Sequence, residues 1–144
     1  MIDMLAESAT AVRKEWSAVC DSVIHGRPKF IKRTRDQMMF SSLDTMSDIL
    51  SGYQFTATKF CEDDGSITLV LNEIDLVENG LDEQSARSAL AKSIMEYSLN
   101  YYNEYELFSR APNRKGHIPY ILKALIVDDE KQLEEMLICQ DGKS

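Results

Sequence analysis

The sequence contains few of the residues from which catalytic and metal-binding sites are built. It has two histidines, His25 and His117, and three cysteines, Cys20, Cys61 and Cys139, which lie far apart and form no CxxC pair. An odd number of widely spaced cysteines indicates neither a disulfide framework nor a zinc cluster. We therefore expect no bound metal, and a reducing, cytoplasmic location.

The motifs of common enzymes are also missing, because the sequence has no P-loop, no GxGxxG, no GxSxG and no HExxH. The acidic run 61–66, CEDDGS, lacks the alternating acids and the terminal glutamate of a calcium loop, so a tight turn is the favoured interpretation. For His25, which ends a predicted helix, a capping role is favoured. We predict no catalytic residues, no cofactor and no enzymatic activity.

Long apolar runs are absent too. No run approaches the roughly 18 residues of a membrane-spanning helix, and the N-terminus has no apolar signal-peptide core. We therefore expect no membrane partner. Hydrophobic residues nevertheless make up 44% of the 144 residues, enough for a folded core in one domain or two small ones.

What the sequence does contain is an uneven distribution of charge. Residues 1–60 hold eight Lys or Arg and seven Asp or Glu, whereas residues 61–144 hold eight and seventeen. Within residues 13–35, seven bases accompany two acids. This asymmetry favours one region that meets a polyanion and one that a polyanion would repel, although an acidic half can equally be only a well-solvated surface.

The first apolar pattern predicts a helix over 8–25, where apolar residues recur at helical spacing. Ser8 can cap its start, Gly26 suits a left-handed residue after its end, and Pro28 prevents continuation. The helix is therefore expected to be continuous up to Gly26.

A β-hairpin and a short helix are predicted next. The apolar-centred runs 29–34 and 37–42 predict the hairpin, and 42–52 predicts a helix that begins at Ser42 and ends at Gly52. Four of its residues are expected to face inward: Leu43, Met46, Ile49 and Leu50. Residues 1–52 thus form a small helix–hairpin–helix unit, and because so small a unit buries little surface, we expect it to dimerise.

Residues 53–144 predict a second region of a β-hairpin and a long helix, which makes the fold class α+β. Two alternating runs flank the Asp-Gly turn of 61–66, and the pattern of 83–108 predicts one helix of about 39 Å capped by Asp82. Two shorter helical segments follow, opened by Pro119 and by Asp128 or Asp129. The last residues, 140–144, are expected to fray.

Four tyrosines lie close together in the long helix: Tyr97, Tyr101, Tyr102 and Tyr105. Their helical spacing favours packing in a core or a dimer. Tyrosine is also enriched at interface hot spots, so a partner-binding face is the alternative.

The order of residues in 8–50 resembles the N-terminal domain of Phd/YefM-type antitoxins. A capped serine opens a helix with an early arginine, then glycine, proline and an Ile-x-Arg strand follow, and a second strand leads into a Ser-Leu-acid helix start. The matching positions are Ser8, Arg13, Gly26, Pro28, Ile31, Arg33, Ser42, Leu43 and Asp44. In the layout of hairpin, loop and helix start, residues 53–97 are similar to HicB-like antitoxin domains.

The resemblance implies a homodimer whose N-terminal domains bind operator DNA. It also implies a C-terminal region that binds and neutralises a cognate toxin, often a RelE/YoeB-like messenger RNA endonuclease or a Doc-type protein. The family's tail is typically short and unfolded until it meets the toxin, whereas residues 53–137 here predict ordered structure. Residues 1–52 would then dimerise and bind DNA, and residues 53–144 would bind the toxin.

The predicted DNA contacts are basic residues of the first helix and the hairpin: Arg13, Arg27, Lys32, Arg33 and Arg35. Lys and Arg contacts to phosphate supply salt-dependent affinity, and Arg is the commonest reader of guanine. Two-fold symmetry predicts a palindromic site. The alternative for the same residues is a solvated hairpin and helix face.

The predicted toxin contacts are apolar residues of the last helical segments: Ile121, Leu122, Leu125, Leu133, Met136 and Leu137. RNA-cleaving toxins need basic clefts, which an acidic partner surface complements. Two other hypotheses stay open: a dimeric interaction or assembly module without DNA binding, and an uncharacterised enzyme.

Overall fold

The computed structural model describes residues 1–142, so the last two residues of the segment predicted to fray lie outside the described residues. It divides the chain into two compact units, Met1–Ile49 and a second unit that begins at Leu50. The short 3-10 helix Leu50–Gly52 belongs to the second unit: Leu50 is buried, and the next residue, Tyr53, accepts a hydrogen bond from Lys123 Nζ. The boundary therefore falls just before the one predicted at 52.

The first unit contains short helices and a three-stranded sheet. Its elements are α1 Ile2–Leu5, β1 Glu7–Ser8, α2 Ala9–Lys14, α3 Trp16–His25, β2 Lys29–Arg33, β3 Asp36–Phe40 and α4 Leu43–Ile49. The predicted hairpin is confirmed as β2 and β3, which pair antiparallel from Lys29↔Phe40 to Arg33↔Asp36. The parallel strand β1 beside β2 was not predicted.

The predicted helix over 8–25 is interrupted at Glu15, whose φ of −110° and ψ of 32° separate α2 from α3. Ser8 caps α2 as expected, since its Oγ accepts a hydrogen bond from Ala11 N at 3.1 Å. Gly26 is not left-handed, because its φ is −128°. Glycine is needed there for another reason: a Cβ would lie 2.6 Å from the backbone oxygen of Ser22.

The core of the first unit is small. It consists of Val12, Val19, Val23 and Ile31, with Ala9 and Phe40 packed at its edge. Helix α4 contributes little to it, because Leu43 and Ile49, expected to face inward, are 65% and 54% exposed. The unit thus leaves large apolar side chains in contact with water.

The second unit has a four-stranded sheet, four α-helices and the short 3-10 helices Leu50–Gly52 and Lys115–His117 among its described residues. Its elements are β4 Thr56–Cys61, β5 Ile67–Leu71, β6 Val77–Gly80, α5 Glu83–Asn103, α6 Tyr105–Arg110, α7 Ile118–Val127, α8 Glu130–Met136 and β7 Ile138–Asp141. The strand order is β6-β5-β4-β7, with β7 parallel to β4 and the other pairs antiparallel. The predicted hairpin is confirmed as β4 and β5, and the α+β class is confirmed for the chain.

Helix α5 covers one face of this sheet, and α7 and α8 pack against α5. The core joins residues of all these elements: Phe55, Ala57, Leu69, Leu71, Ile74, Ala86, Leu90, Ala91, Ile94, Met95, Tyr101, Ile121, Ala124, Leu133 and Leu137. Asp82 caps α5 as predicted, since its carboxylate accepts a hydrogen bond from Ser85 N at 2.7 Å.

The long helix predicted over 83–108 bends at Glu104, where φ is −118° and ψ is 42°. Beyond the bend, the ring of Phe108 in α6 stacks on Tyr101 with centroids 5.3 Å apart. The bend therefore turns the end of the helical segment onto an aromatic cluster.

The last strand, β7, includes residues 140 and 141, which were predicted to fray. It pairs with β4 from Thr56↔Ile138 to Lys59↔Asp141. Arg87 of α5 supports the turn into this strand by donating hydrogen bonds to the carbonyl oxygens of Glu134, at 2.9 Å, and Leu137, at 2.8 Å.

Candidate functional site

Three of the five predicted DNA-binding residues line one cleft in the first unit. Arg13 projects from α2, and Lys32 and Arg33 project from the end of β2. The cleft has a volume of about 450 Å³, and its other lining residues are Ser8, Ala9, Thr10 and Thr34. We call this set of residues the basic cleft.

The charges of the basic cleft are only partly compensated. Lys32 Nζ lies 3.4 Å from Asp3 Oδ1. Within residues 1–142, neither Arg13 nor Arg33 has a salt-bridge partner. Residues 1–49 carry seven Lys or Arg and seven Asp or Glu, a net charge of zero, so the positive charge is a property of the cleft and not of the whole unit.

The other two predicted DNA-binding residues lie elsewhere. Arg27 lines a different depression, of about 200 Å³, together with Pro28 and Lys29. Arg35 is the second residue of the hairpin turn, between the paired residues Arg33 and Asp36. The structure therefore brings Arg13, Lys32 and Arg33 together and separates Arg27 from them.

Two polar residues of the basic cleft, Thr10 and Thr34, were not identified from the sequence. Thr10 lies one helical turn before Arg13, so the i, i+3 spacing on a helix was the signal that could have found it. Hydroxyl groups are common phosphate ligands beside Arg and Lys. Thr34, at the rim, has a φ of 56°, which is unusual for a β-branched residue.

Three of the six predicted toxin contacts are buried in the core of the second unit. Ile121 and Leu133 are 0% exposed and Leu137 is 3% exposed, because all three belong to the core of the second unit, in which α7 and α8 pack on α5. Leu122, Leu125 and Met136 are partly exposed. Of the six predicted toxin contacts, only these three have solvent-exposed side-chain surface that a partner could contact in the folded unit.

The tyrosines divide between the core and the surface. Tyr101 is fully buried, and its hydroxyl donates a hydrogen bond to Arg114 O at 2.9 Å. Tyr97 packs against His117 and Phe108, and burial raises the pKa of both Tyr97 and Tyr101 above the usual 10.0. Tyr102, by contrast, is exposed. Packing thus explains Tyr97 and Tyr101, but it does not explain Tyr102.

Neither unit offers a recognisable metal site in its described residues, where no three His, Cys, Asp or Glu side chains are grouped to hold an ion. In the same part of the chain, no helix combines the length and the apolar character needed to cross a membrane.

A basic cleft on one small unit and an acidic second unit are typical of proteins that bind other macromolecules. Residues 4–139 match the model of a PHD-like family described as the antitoxin of RelE/RelB toxin–antitoxin systems, and the chain belongs to this family. It is therefore an antitoxin of a toxin–antitoxin system. A comparison with curated proteins gives no match.

A solved structure supports the same assignment. It is the crystal structure of a protein from Syntrophomonas wolfei subsp. wolfei, described as an antitoxin part of a proposed toxin/antitoxin system. The two chains are 33% identical with a TM-score of 0.90, over 95% of this chain and 99% of that one. The predicted antitoxin class is thus confirmed, whereas the narrower Phd/YefM and HicB-like assignments stay predictions. A single family match runs through both units, which sequence reasoning had divided between two families.

Proposed function

We propose that this antitoxin neutralises a basic, RNA-cleaving toxin of the RelE/YoeB kind through its second unit. It represses its own operon by binding DNA through its first unit, as a cytoplasmic homodimer without a cofactor. The observation that carries the DNA-binding part is the convergence of Arg13, Lys32 and Arg33, from two different elements, on one cleft.

The basic cleft suits a phosphate backbone. Two guanidinium groups without carboxylate partners stand beside the hydroxyl-bearing residues Ser8 and Thr10. Arg, Lys and hydroxyl side chains make most protein contacts to DNA phosphates. Arg35 at the hairpin tip and Arg27 extend the proposed surface beyond the cleft.

The homodimer is supported by the apolar surface of the first unit. Trp16 is 53% exposed although its ring stacks on Phe40 with centroids 5.4 Å apart. Trp16, Met38 and the edge of Ile31 line an apolar depression of about 480 Å³. A second copy that covered this surface would enlarge a core that is too small for an independent unit, and it would pair two basic clefts on a palindromic operator.

The toxin-binding role of the second unit is supported by its charge. Residues 50–144 carry nine Lys or Arg and seventeen Asp or Glu. An enzyme that cleaves RNA needs a basic surface to hold a polyanion, and an acidic partner is drawn to that surface. Leu122, Leu125 and Met136 remain candidate contacts.

The DNA proposal is tested with the full chain and a duplex of its own upstream region at two salt concentrations. Arg13→Ala combined with Arg33→Ala is expected to abolish the specific complex or to lower the salt slope by about one per lost phosphate contact. Arg110→Ala, an exposed base of the second unit, is the matched control. An unchanged affinity in the double variant would refute the assignment of the cleft.

The dimer is tested by light scattering of Met38→Glu, which is expected to halve the mass of the particle. If the mass falls but no DNA complex forms with any variant or with the unaltered chain, the chain is the dimeric module without DNA binding.

The toxin proposal is tested by co-expression with the protein encoded beside this chain in its genome. We expect a stable complex and rescue of growth. Deleting residues from 117 onwards is not a useful test, because it would remove Ile121 and Leu133 from the core. No complex and no rescue would refute the proposed partner.

A further inference from the structure

The second unit carries large apolar side chains that face water along the outer side of α5 and α6. Leu99 and Tyr102, one helical turn apart on α5, are 49% and 61% exposed. Beyond the bend at Glu104, Tyr105 and Leu107 are 38% and 66% exposed. Residues 102–107 line one depression of about 480 Å³. We call Leu99, Tyr102, Tyr105 and Leu107 the α5–α6 patch.

This patch is not needed to anchor α5. The opposite side of the helix already buries Leu90, Ile94 and Tyr101 completely. Contiguous large apolar side chains that do not serve a core mark interaction surfaces. Two of the four are tyrosines, which are frequent among the residues that dominate binding energy.

The charges around the patch define the chemistry of its partner. Residues 93–109 contain three acids and no Lys or Arg, and the nearest base on α6 is the exposed Arg110, one turn after Leu107. Glu96 lies one turn before Leu99, and Glu104 and Glu106 line the depression. A nucleic acid would be repelled, and a second copy related by two-fold symmetry would set acids against acids. A protein with an apolar pocket surrounded by Lys and Arg fits both features.

We infer that the α5–α6 patch is the surface on which the basic toxin docks. This inference rests on the proposed function, because it takes the toxin to be basic. It moves the main contact from the last helices, where Ile121, Leu133 and Leu137 are buried, to the exposed side of α5 and α6. Tyr102 and Leu107 provide the apolar contacts, and Glu104 and Glu106 pair with cations of the partner.

The experiment measures the affinity of the full chain for the purified protein encoded beside it, by calorimetry. Leu107→Asp and Tyr102→Ala are each expected to weaken binding at least about ten-fold, as residues at the centre of an interface do. Val77→Asp is the matched control, because Val77 is an exposed apolar residue on β6, outside the patch, and should bind as the unaltered chain does. Glu104→Lys with Glu106→Lys should weaken binding and reduce its salt dependence. Circular dichroism shows whether each variant is folded.

Three results would overturn the inference. If the unaltered chain binds and the folded patch variants bind equally well, the docking surface is elsewhere while the proposed function stands. If the unaltered chain does not bind at all, the proposed function fails and the inference fails with it. If Leu107→Asp instead converts a free dimer into a monomer, the patch joins two copies of this chain.

Discussion

Tyr97 Oη and His117 Nδ1 lie 2.8 Å apart and share a hydrogen bond, with their rings in edge contact. This bond ties α5 to the turn that precedes α7. Burial lowers the pKa of His117 below its usual 6.5; the nearby Asp75 carboxylate opposes this effect and Arg114 reinforces it. The imidazole is therefore favoured in its neutral form in the folded unit.

This geometry predicts a loss of stability in mild acid. As the pH falls below 6.5, the unfolded chain binds a proton on His117 while the folded chain resists it, so the free energy of unfolding decreases until the folded pKa is passed. Above that range the group makes no pH-dependent contribution. Urea titrations followed by circular dichroism on both sides of this pH should show the change. His117→Gln should flatten it and His25→Gln should not, so equal slopes in the two variants would contradict the assignment.

The close packing around Gly80 predicts that adding a single methyl group there lowers the stability of the second unit. It ends β6 directly against the start of α5, where a Cβ would lie 2.4 Å from Ala86 N. Because backbone atoms cannot yield as a flexible side chain does, Gly80→Ala should lower the free energy of unfolding by about 1–3 kcal/mol. Gly116→Ala, which meets nothing within 4 Å, is the control. Thermal unfolding that ranks the two variants equally would disprove the close packing.

Thr34 predicts a stabilising substitution. Its φ of 56° at the hairpin turn is a conformation that suits glycine and strains a β-branched residue. Thr34→Gly should raise the stability of the first unit by about 1 kcal/mol. Trp16 is the only tryptophan of the chain and lies in this unit, so its fluorescence reports the unfolding. Arg35→Gly, at the neighbouring turn residue with negative φ, should not stabilise; if it does so equally, relief of strain is not the cause.

Arg87 predicts a loss of order at the end of the second unit. Its guanidinium satisfies the carbonyl oxygens of Glu134 and Leu137 and lies 3.0 Å from Cys139 Sγ. Arg87→Met keeps the apolar stem but removes the donors, which should cost about 2–3 kcal/mol. Hydrogen exchange of β7 should accelerate in this variant. The exposed Arg110→Met should leave both stability and exchange unchanged, and a similar loss there would point to a general effect of charge.

Much of the local structure could be predicted because its causes are local. Ser8, Asp82 and Asp129 cap helices through their own side chains, and both predicted hairpins form around short turns. The bends at Glu15 and Glu104 could not be predicted, because glutamate is a good helix former and neither position carries a helix-breaking residue.

The residue types of the basic cleft could be predicted from the sequence, but the surface that they form together could not. The concentration of bases in residues 13–35 is visible in the chain, whereas the placement of Arg13 beside Arg33 depends on how α2 lies against β2. The spacing of apolar residues in α7 and α8 predicts that each helix buries one face, but it does not say whether that face packs on a partner or on α5. Ile121 and Leu133 pack in the core with α5.

The sequence by itself determined the α+β class, the helix starts that a side chain caps, the two predicted hairpins and the division of charge, since all of these depend on neighbouring residues and on totals. Tertiary structure decided the pairing of β1 with β2 and of β7 with β4, the burial of the last helices, and the exposure of Tyr102 and Leu107. Those features depend on residues that are distant in the chain and adjacent in space, and the free energy that selects them comes from packing the whole unit.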